Sequence, residues 1–552
     1  MIFSTFFNFS IIIILIGYSY IFKNFLNEKK NEINNLDLIY GVFFLLFISL
    51  VLQFAFSLNL FFYFILIVGF FSFLHCLYKK KIKINLFYYF LIIFILIFII
   101  YDQGENVDSP MYHYQIIKWF YNYKITLGLP NLEIRFADSS LWFNFLSLLQ
   151  FKFRGFNSIH TLNIIPFSIL IYEIFNQKKT LSYLFLTLSL SFIFFFSFLH
   201  PYQDGIILNH LHNPEVDTVG MIFFISSFYL LLKYVEEKKQ TIFNLLIVCT
   251  SICFFTKLSY IGVSFIPLLI LIIYYRKCLN KVIVSKLSFF VILFFFLWIF
   301  KNFLISGCFI FPISITCFNV AWSPGLEEIE TYKNTVKGFA RDTRDRLKYL
   351  DFNHTIYTFN WFIPWFKDYG LNTSLLKISY FIIIMSSLFF LILKKYTSFL
   401  TIKLSNEKIH LFILIVLFFN LLIWFQAPEV RFGWGTIITI NCYLLSILLF
   451  YNIFYKRLDT LILKYFVIFT IALLFYDNRN NFSLNALLHP YLKKMDYSKI
   501  IKIYEINDRN IYRSLNWKCY DFKEICVNST KNKYFLEEKF GYLIFKNRLS
   551  EK

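Results

Sequence analysis

Long apolar runs broken by short polar joints dominate the chain. Taking about 17–25 residues per membrane helix, the pattern predicts roughly fourteen spans. Their approximate cores are 3–22, 37–57, 59–78, 86–101, 157–175, 181–199, 217–234, 241–256, 258–275, 287–305, 376–393, 409–425, 435–454 and 461–476. The joints at 57–59 and 256–258 have almost no loop, so this count is loose by about two spans. The first run, Met1–Ile21, lacks a basic start and a small-residue cleavage site, so it reads as a retained helix.

Polar insertions give these runs a direction. Lys23, Lys29, Lys30, Lys79–Lys81 and Lys83, Lys178/Lys179 and Lys238/Lys239 fall on one side under strict alternation. Arg276/Lys277 with Lys281, Lys394/Lys395 and Lys456/Arg457 fall there too. By the positive-inside rule that side is cytoplasmic. Residues 102–155, 200–216, 306–375, 427–434 and everything after Tyr476 are then expected outside. The expected fold is therefore an all-α polytopic membrane protein with outer-face interfacial helices. Residues 1–476 form its transmembrane domain, carrying an acidic outer loop 102–155 and a large outer loop 306–375. Residues 477–552 form a small extracytoplasmic subdomain.

Composition agrees: 58% of the 552 residues are hydrophobic and 22% aromatic, with a mean hydropathy of +0.61, which excludes an ordinary soluble domain. The abundance of Phe, Ile, Lys, Asn and Tyr fits an AT-rich genome, so Phe in place of Leu carries little functional meaning. A net charge of +21 would suit nucleic acid, but the cations cluster between apolar spans, where they encode topology. Nucleic acid is not an expected partner; membrane lipids are. Nine cysteines are scattered without metal-ligand spacing. Outside the cytoplasm a disulfide is permitted across Cys308/Cys317 or Cys519/Cys526. The second pair is the favoured one, with two free thiols as the alternative.

Chemistry is expected where the chain surfaces. The run Phe87–Tyr101 ends at Asp102, and Glu105 and Asp108 follow. Ser109-Pro110 is a good helix start, and the helix would run to about Tyr123. Gln115, Lys118 and Asn122 share one face, while His113 sits among Ile116, Ile117 and Phe120. Such a helix would lie in the outer interface with its aromatic side among headgroups. Asp108 would precede its positive end, either as a reactive carboxylate or only as a cap. Arg135-Phe136-Ala137-Asp138 follows in the same loop.

A second polar cluster contains Asp204, His210, His212, Asn213, Glu215 and Asp217, with Asp217 at the mouth of a helix. The spacing His210-Leu211-His212 does not specify a metal, and a divalent metal stays open. Lys257 lies in a hairpin between apolar runs, and Lys301 nears the outer end of its helix. Each would be costly in lipid unless it reaches water or an anion, and snorkelling is the plain alternative. Arg431 surfaces on the same side and could grip a phosphate through its planar fork. Acids and cations on one surface suit transfer of a sugar from a polyprenyl phosphate. The cations would stabilise the anionic leaving group and a carboxylate would take the acceptor's proton.

Several local patterns carry a resemblance. They are Asp108-x-x-x-Tyr112-His113 leading to Trp119, Gly128-Leu129-Pro130-Asn131-Leu132, Leu141-Trp142-Phe143, and Asn213-Pro214 with Asp217. Lys257-Leu258-Ser259, Ser306-Gly307 with Phe311-Pro312, Trp322, Pro428 with Arg431-Phe432-Gly433, and Cys519 with Cys526 complete the set. Together they resemble the glycosyltransferase C superfamily, and more closely a group of bacterial multi-pass inner-membrane proteins related to it. Lys301 stands where an Arg is usual.

The resemblance implies that Asp108 is the base and Asp217 a second acid. His113, Tyr112, Lys257, Lys301 and Arg431 would be substrate-binding. It implies a polyprenyl-phosphate-linked sugar as donor and a surface glycan or glycolipid as acceptor, on the outer side of the bacterial inner membrane. A polysaccharide polymerase or ligase is the second expectation, suited by the large loop with Arg341, Arg344 and Arg346. A transporter or flippase is the third, although no internal repeat is evident and the charges lie at span ends.

Overall fold

A computed structural model describes residues 1–28, 32–101, 106, 108–138, 140–153, 156–175, 180–199, 210–274, 285–341, 357–371, 373–395, 407–451, 460–477, 497–506, 509–520, 522–527 and 534–547. The chain is mostly helical. In order come α1 (Ile2–Phe25), α2 (Leu38–Ala55), α3 (Phe62–Tyr78), α4 (Leu86–Ile100), α5 (Tyr114–Asn122) and α6 (Leu141–Leu148). Then follow α7 (Ile164–Glu173), α8 (Leu181–Leu199), α9 (Val216–Glu237), α10 (Gln240–Thr256), α11 (Phe265–Tyr274) and α12 (Lys286–Ser306). The last are α13 (Leu326–Arg341), α14 (Ser374–Lys395), α15 (Glu407–Phe425), α16 (Val430–Tyr451) and α17 (Thr460–Asp477).

Among the described residues, seven helices are long and apolar enough to cross a membrane: Ile2–Phe25, Asn35–Ala55, Leu58–Tyr78, Leu181–Phe198, Val216–Glu237, Lys286–Ser306 and Val430–Phe450. Other expected spans correspond to shorter apolar helices. At 1.5 Å per residue, the ten residues of α7 reach about 15 Å, half a hydrocarbon core of about 30 Å. The helices that do qualify turn greasy faces outward. Tyr63, Phe64, Ile67 and Phe71 of α3, and Phe289, Phe296 and Phe300 of α12, are exposed. An apolar surface this extensive suits lipid, not water.

Inside the bundle, packing is close. The Gly17–Gly69 pair lets α1 and α3 meet backbone to backbone; a Cβ on Gly17 would fall 2.0 Å from the Gly69 carbonyl oxygen. Small residues serve helix pairs this way in membranes. The loops segregate to two ends. At one end Lys23 Nζ donates to Asp37 Oδ2 at 2.9 Å, Asn35 to Glu173 Oε2 at 2.8 Å, and Asn244 to Glu28 Oε1 at 3.2 Å. The Ile33 and Ile82 segments pair there as well. These are the basic joints assigned to the cytoplasm. The joints assigned to the outside gather at the opposite end, since α10 runs from Asn244 at the first end to Lys257 at the second.

That second end carries a β subdomain. Strands β1 (Lys152–Phe153) and β2 (Phe156–Asn157) form a small hairpin after α6. In the tail, β3 (Ile500–Ile506) and β4 (Arg509–Ser514) are antiparallel, β5 (Ile525–Val527) runs parallel to β4, and β6 (Tyr534–Lys539) pairs with β7 (Tyr542–Asn547). Both cysteine pairs are disulfides: Cys519–Cys526, as favoured from the sequence, and Cys308–Cys317.

The tail is bound to the acidic loop. Tyr520 N donates to the Pro110 carbonyl at 2.8 Å, Gln115 Nε2 to Tyr520 O at 2.9 Å, and Lys118 Nζ to Phe522 O and Glu524 O at 2.6 Å each. The polar face read on α5 is therefore correct, but a protein surface covers it. Its other face, Ile116, Ile117 and Phe120, is buried, and Ser147 of α6 donates to Ile117 O at 2.9 Å. Protein thus covers most of the helix, and Asn122 at its end stays exposed.

Candidate functional site

Four separated segments meet at this end of the bundle. The first is the turn Ser109–His113. Its leading N–H is satisfied by Asn106, whose Oδ1 accepts from Ser109 N at 2.8 Å. Asp108 makes no capping hydrogen bond; its Oδ2 instead lies 2.5 Å from Arg431 Nη1.

The second segment is the entry to α9. Asn163 holds it in place, donating to Asn213 O at 2.6 Å and Glu215 O at 2.9 Å while accepting from Trp142 Nε1 at 2.6 Å. One buried relay thus accounts for both the Leu-Trp-Phe and the Asn-Pro patterns. The third segment is the hairpin after α10. Lys257 is extended there (φ −150°, ψ 115°) and its ammonium is bonded to Asp217 Oδ1. The fourth is the start of α16, fixed where Trp424 Nε1 donates to Glu429 O at 2.7 Å.

Arg431 ties the segments together. Besides Asp108, its Nη1 lies 3.4 Å from Glu215 Oε1 and its Nε 4.0 Å from Asp217 Oδ2. Its side chain is only 19% exposed. Glu215 in turn is bonded to His210 Nδ1, whose ring packs edge-on against Trp434 at 5.0 Å, one turn beyond Arg431. Burying such charges is tolerable because each is paired. Lys257 also lies over the Phe432 ring at 4.9 Å, a desolvated cation–π contact.

Asp138 completes the group. It follows the helical turn Ile134–Ala137, and Ser140, two residues on, donates to Thr256 O at 2.7 Å, next to Lys257. Burial, with the negative charge of Asp217 beside it, raises its carboxyl to about 6, against the opposing pull of Lys257, the Ser140 N–H and Lys301.

Among the residues expected here, Asp108, Asp217, Lys257 and Arg431 are brought together. Tyr112 flanks them, its ring 5.1 Å from the Arg135 guanidinium carbon, and burial drives its hydroxyl well above the ordinary tyrosine value. His113 is buried behind the turn: Ser109 Oγ lies 3.1 Å from Nδ1 and Phe143 packs on the ring. Burial lowers its imidazole, outweighing the pull of Asp108, so it serves as a neutral brace. Lys301 does not snorkel. It is fully buried, with Nζ 2.5 Å from Asn144 Oδ1 and 4.3 Å from the centre of the Phe120 ring. It sits beneath the cluster without an ion pair there among the described residues. Asp102, Glu105, Asp204, Arg344 and Arg346 lie outside the described residues.

Glu215, His210 and Asp138 were visible as polar residues, but nothing in their spacing ranked them. Among the described residues no group of three or more His, Cys, Asp or Glu side chains is placed to hold a metal ion. Arg431, Lys257 and His210 occupy the carboxylates instead.

The large outer loop closes over this region. Tyr332 and Ile329 of α13 pack with Phe311, Ala137 and the Cys308–Cys317 disulfide. Asp138, Asp108 and Glu133 act electrostatically on the Tyr332 hydroxyl, which burial raises. Residues 1–438 match the family described as domain of unknown function DUF8201. The chain belongs to this family. The match includes Asp108, Asp138, Glu215, Asp217, Lys257 and Arg431, and ends before the β subdomain. No curated protein and no solved structure gives a significant match.

Proposed function

We propose that this protein is a membrane glycosyltransferase, resembling the glycosyltransferase C superfamily, that moves a sugar from a polyprenyl-phosphate carrier to a surface glycan or glycolipid. One observation carries the reading: Asp108, Glu215, Asp217, Lys257 and Arg431, from four separate segments, share one ion-pair network. That network lies at the end of the bundle assigned to the outside of a bacterial inner membrane.

The reaction needs what the cluster offers. A polyprenyl phosphate leaves as an anion, and a guanidinium fork beside an ammonium suits that charge. The acceptor hydroxyl must lose a proton, and a carboxylate at this end of the bundle can take it. The donor arrives within the bilayer, so no nucleotide-binding fold is required. A polymerase or ligase would use the same chemistry, and it is favoured by α13, which reaches over the cluster from the large loop. Glycan analysis of cells carrying Asp108→Asn or Arg431→Gln tests the reading. A transferase defect truncates the repeat unit and accumulates lipid-linked sugar, a polymerase defect leaves single complete units, and unchanged glycans refute both.

A further inference from the structure

The sequence points to Asp108 as the base, yet the geometry favours another carboxylate. A carboxylate oxygen already bonded to a cation is occupied and cannot also receive an incoming hydroxyl. Asp108 is held by Arg431 at 2.5 Å, Asp217 by Lys257, and Glu215 by Arg431 at 3.4 Å and by His210. Asp138 differs. Among the described residues no Lys, Arg or His nitrogen lies within 4.0 Å of its carboxylate, whereas each of the other three has one.

Its position is nonetheless fixed. The Ala137 side is locked under α13 with Ile329, Phe311 and the Cys308–Cys317 disulfide. On the other side Ser140 anchors to Thr256 O, beside Lys257. Protein walls the carboxyl, while the residue as a whole is half-buried. A proton acceptor needs a fixed position.

We propose that Asp138, not Asp108, takes the proton of the acceptor hydroxyl, while Asp108 and Asp217 position Arg431 and Lys257. This rests on the glycosyl-transfer reading above. In the step, the acceptor oxygen forms a bond to the sugar's anomeric carbon as its proton moves to Asp138. The bond from that carbon to the phosphate oxygen breaks, and its electron pair leaves on polyprenyl phosphate, whose charge Arg431 and Lys257 meet. Asp138 then returns the proton to water.

The groups that act on Asp138 come from every neighbouring element. They are Asp217 on α9, Lys257 in the hairpin and Lys301 on α12, with Tyr112 on the Asp108 turn and Tyr332 on α13. Its own segment contributes Arg135 and Glu133, paired to each other at 2.8 Å. The ionised form is thus the more strained one, ready to accept a proton near neutrality.

Two measurements on the full chain in lipid test the assignment. Infrared titration of carboxyl-labelled protein should show one aspartate with a midpoint near pH 6, lost in Asp138→Asn and kept in Asp108→Asn. A midpoint near 4 for the band that Asp138→Asn removes overturns the proposal without any substrate.

The second measurement follows polyprenyl phosphate released from a liposome panel of polyprenyl-phosphate-linked hexoses, pentoses and amino sugars, with a glycolipid extract of the source cells supplied as acceptor. Asp138→Asn should slow release about 10²- to 10⁴-fold, the usual range for a lost general base, and abolish the fall in rate below pH 6. Asp138→Glu, which keeps the carboxylate, should recover part of the rate and keep an acid limb. Normal release by Asp138→Asn alongside a dead Asp108→Asn overturns the proposal but leaves glycosyl transfer intact. If the wild-type chain consumes none of the donors, glycosyl transfer itself is refuted, and the infrared midpoint still decides whether Asp138 is the poised carboxyl.

Discussion

Replacing Asp138 by Asn should make the protein more stable at neutral pH, and the effect should vanish in acid. Burial and Asp217 raise this carboxyl from the usual 3.8 to about 6. A carboxyl raised on folding binds its proton more tightly in the folded chain. Its contribution therefore favours folding below pH 4 and is lost as pH rises through 6. At about 1.36 kcal/mol per pKa unit, the ionised side chain costs the fold about 3 kcal/mol above pH 7. Asn has the shape of the protonated acid and removes that cost, although it weakens the hydrogen bond from the Ser140 N–H. Thermal unfolding of the full chain in lipid nanodiscs, wild type against Asp138→Asn from pH 4 to 8, should show curves that coincide in acid and separate towards neutral pH, the variant melting higher. A variant that melts lower by the same margin at every pH would refute the electrostatic argument, because the substitution would then act only through packing.

The ion-pair network makes a second prediction. Arg431→Gln leaves Asp108 without its cation and weakens the pairing of Glu215 and Asp217, and should cost about 3–5 kcal/mol, the usual cost of breaking a buried pair from one side. Adding Asp108→Asn should recover part of it, and a coupling above about 0.5 kcal/mol in unfolding experiments separates a true pair from two independent sites. At Gly128 the backbone is left-handed (φ +69°), and a Cβ would lie 2.1 Å from the Phe545 carbonyl oxygen. Gly128→Ala should therefore cost at least about 1–2 kcal/mol from backbone strain alone and loosen β7, read as faster proteolysis of the tail.

Much of the site was legible before the structure. Asp108, Asp217, Lys257 and Arg431 each interrupt or border an apolar run, where a charge needs a reason to stand. Alternation of basic joints placed them on one side, and they do meet. The tail's disulfide was readable for the same kind of reason, since Cys519 and Cys526 lie close in sequence on the side assigned to an oxidising compartment. What was not legible depends on partners distant in sequence. The polar stripe of α5 was readable, but not that the Phe522 and Glu524 carbonyls of the tail meet it. Lys301 left substrate binding and snorkelling both open, because its partner, Asn144, lies on another segment. Asp138 carried no local signal, since its difference from Asp108 is the absence of a cation that only folding places. Span number was legible only loosely: among the described residues seven helices are long and apolar enough to cross, and hydropathy alone does not separate such a helix from the short buried α7.

The most direct test of the central claim is donor turnover by the purified full chain in liposomes. With a glycolipid extract of the source cells supplied as acceptor, release of polyprenyl phosphate from at least one polyprenyl-phosphate-linked sugar, lost in Arg431→Gln and in Lys257→Met while both variants remain folded, is the expected result. A folded wild-type chain that releases none from any sugar in the panel, or variants that release it at the wild-type rate, would contradict it.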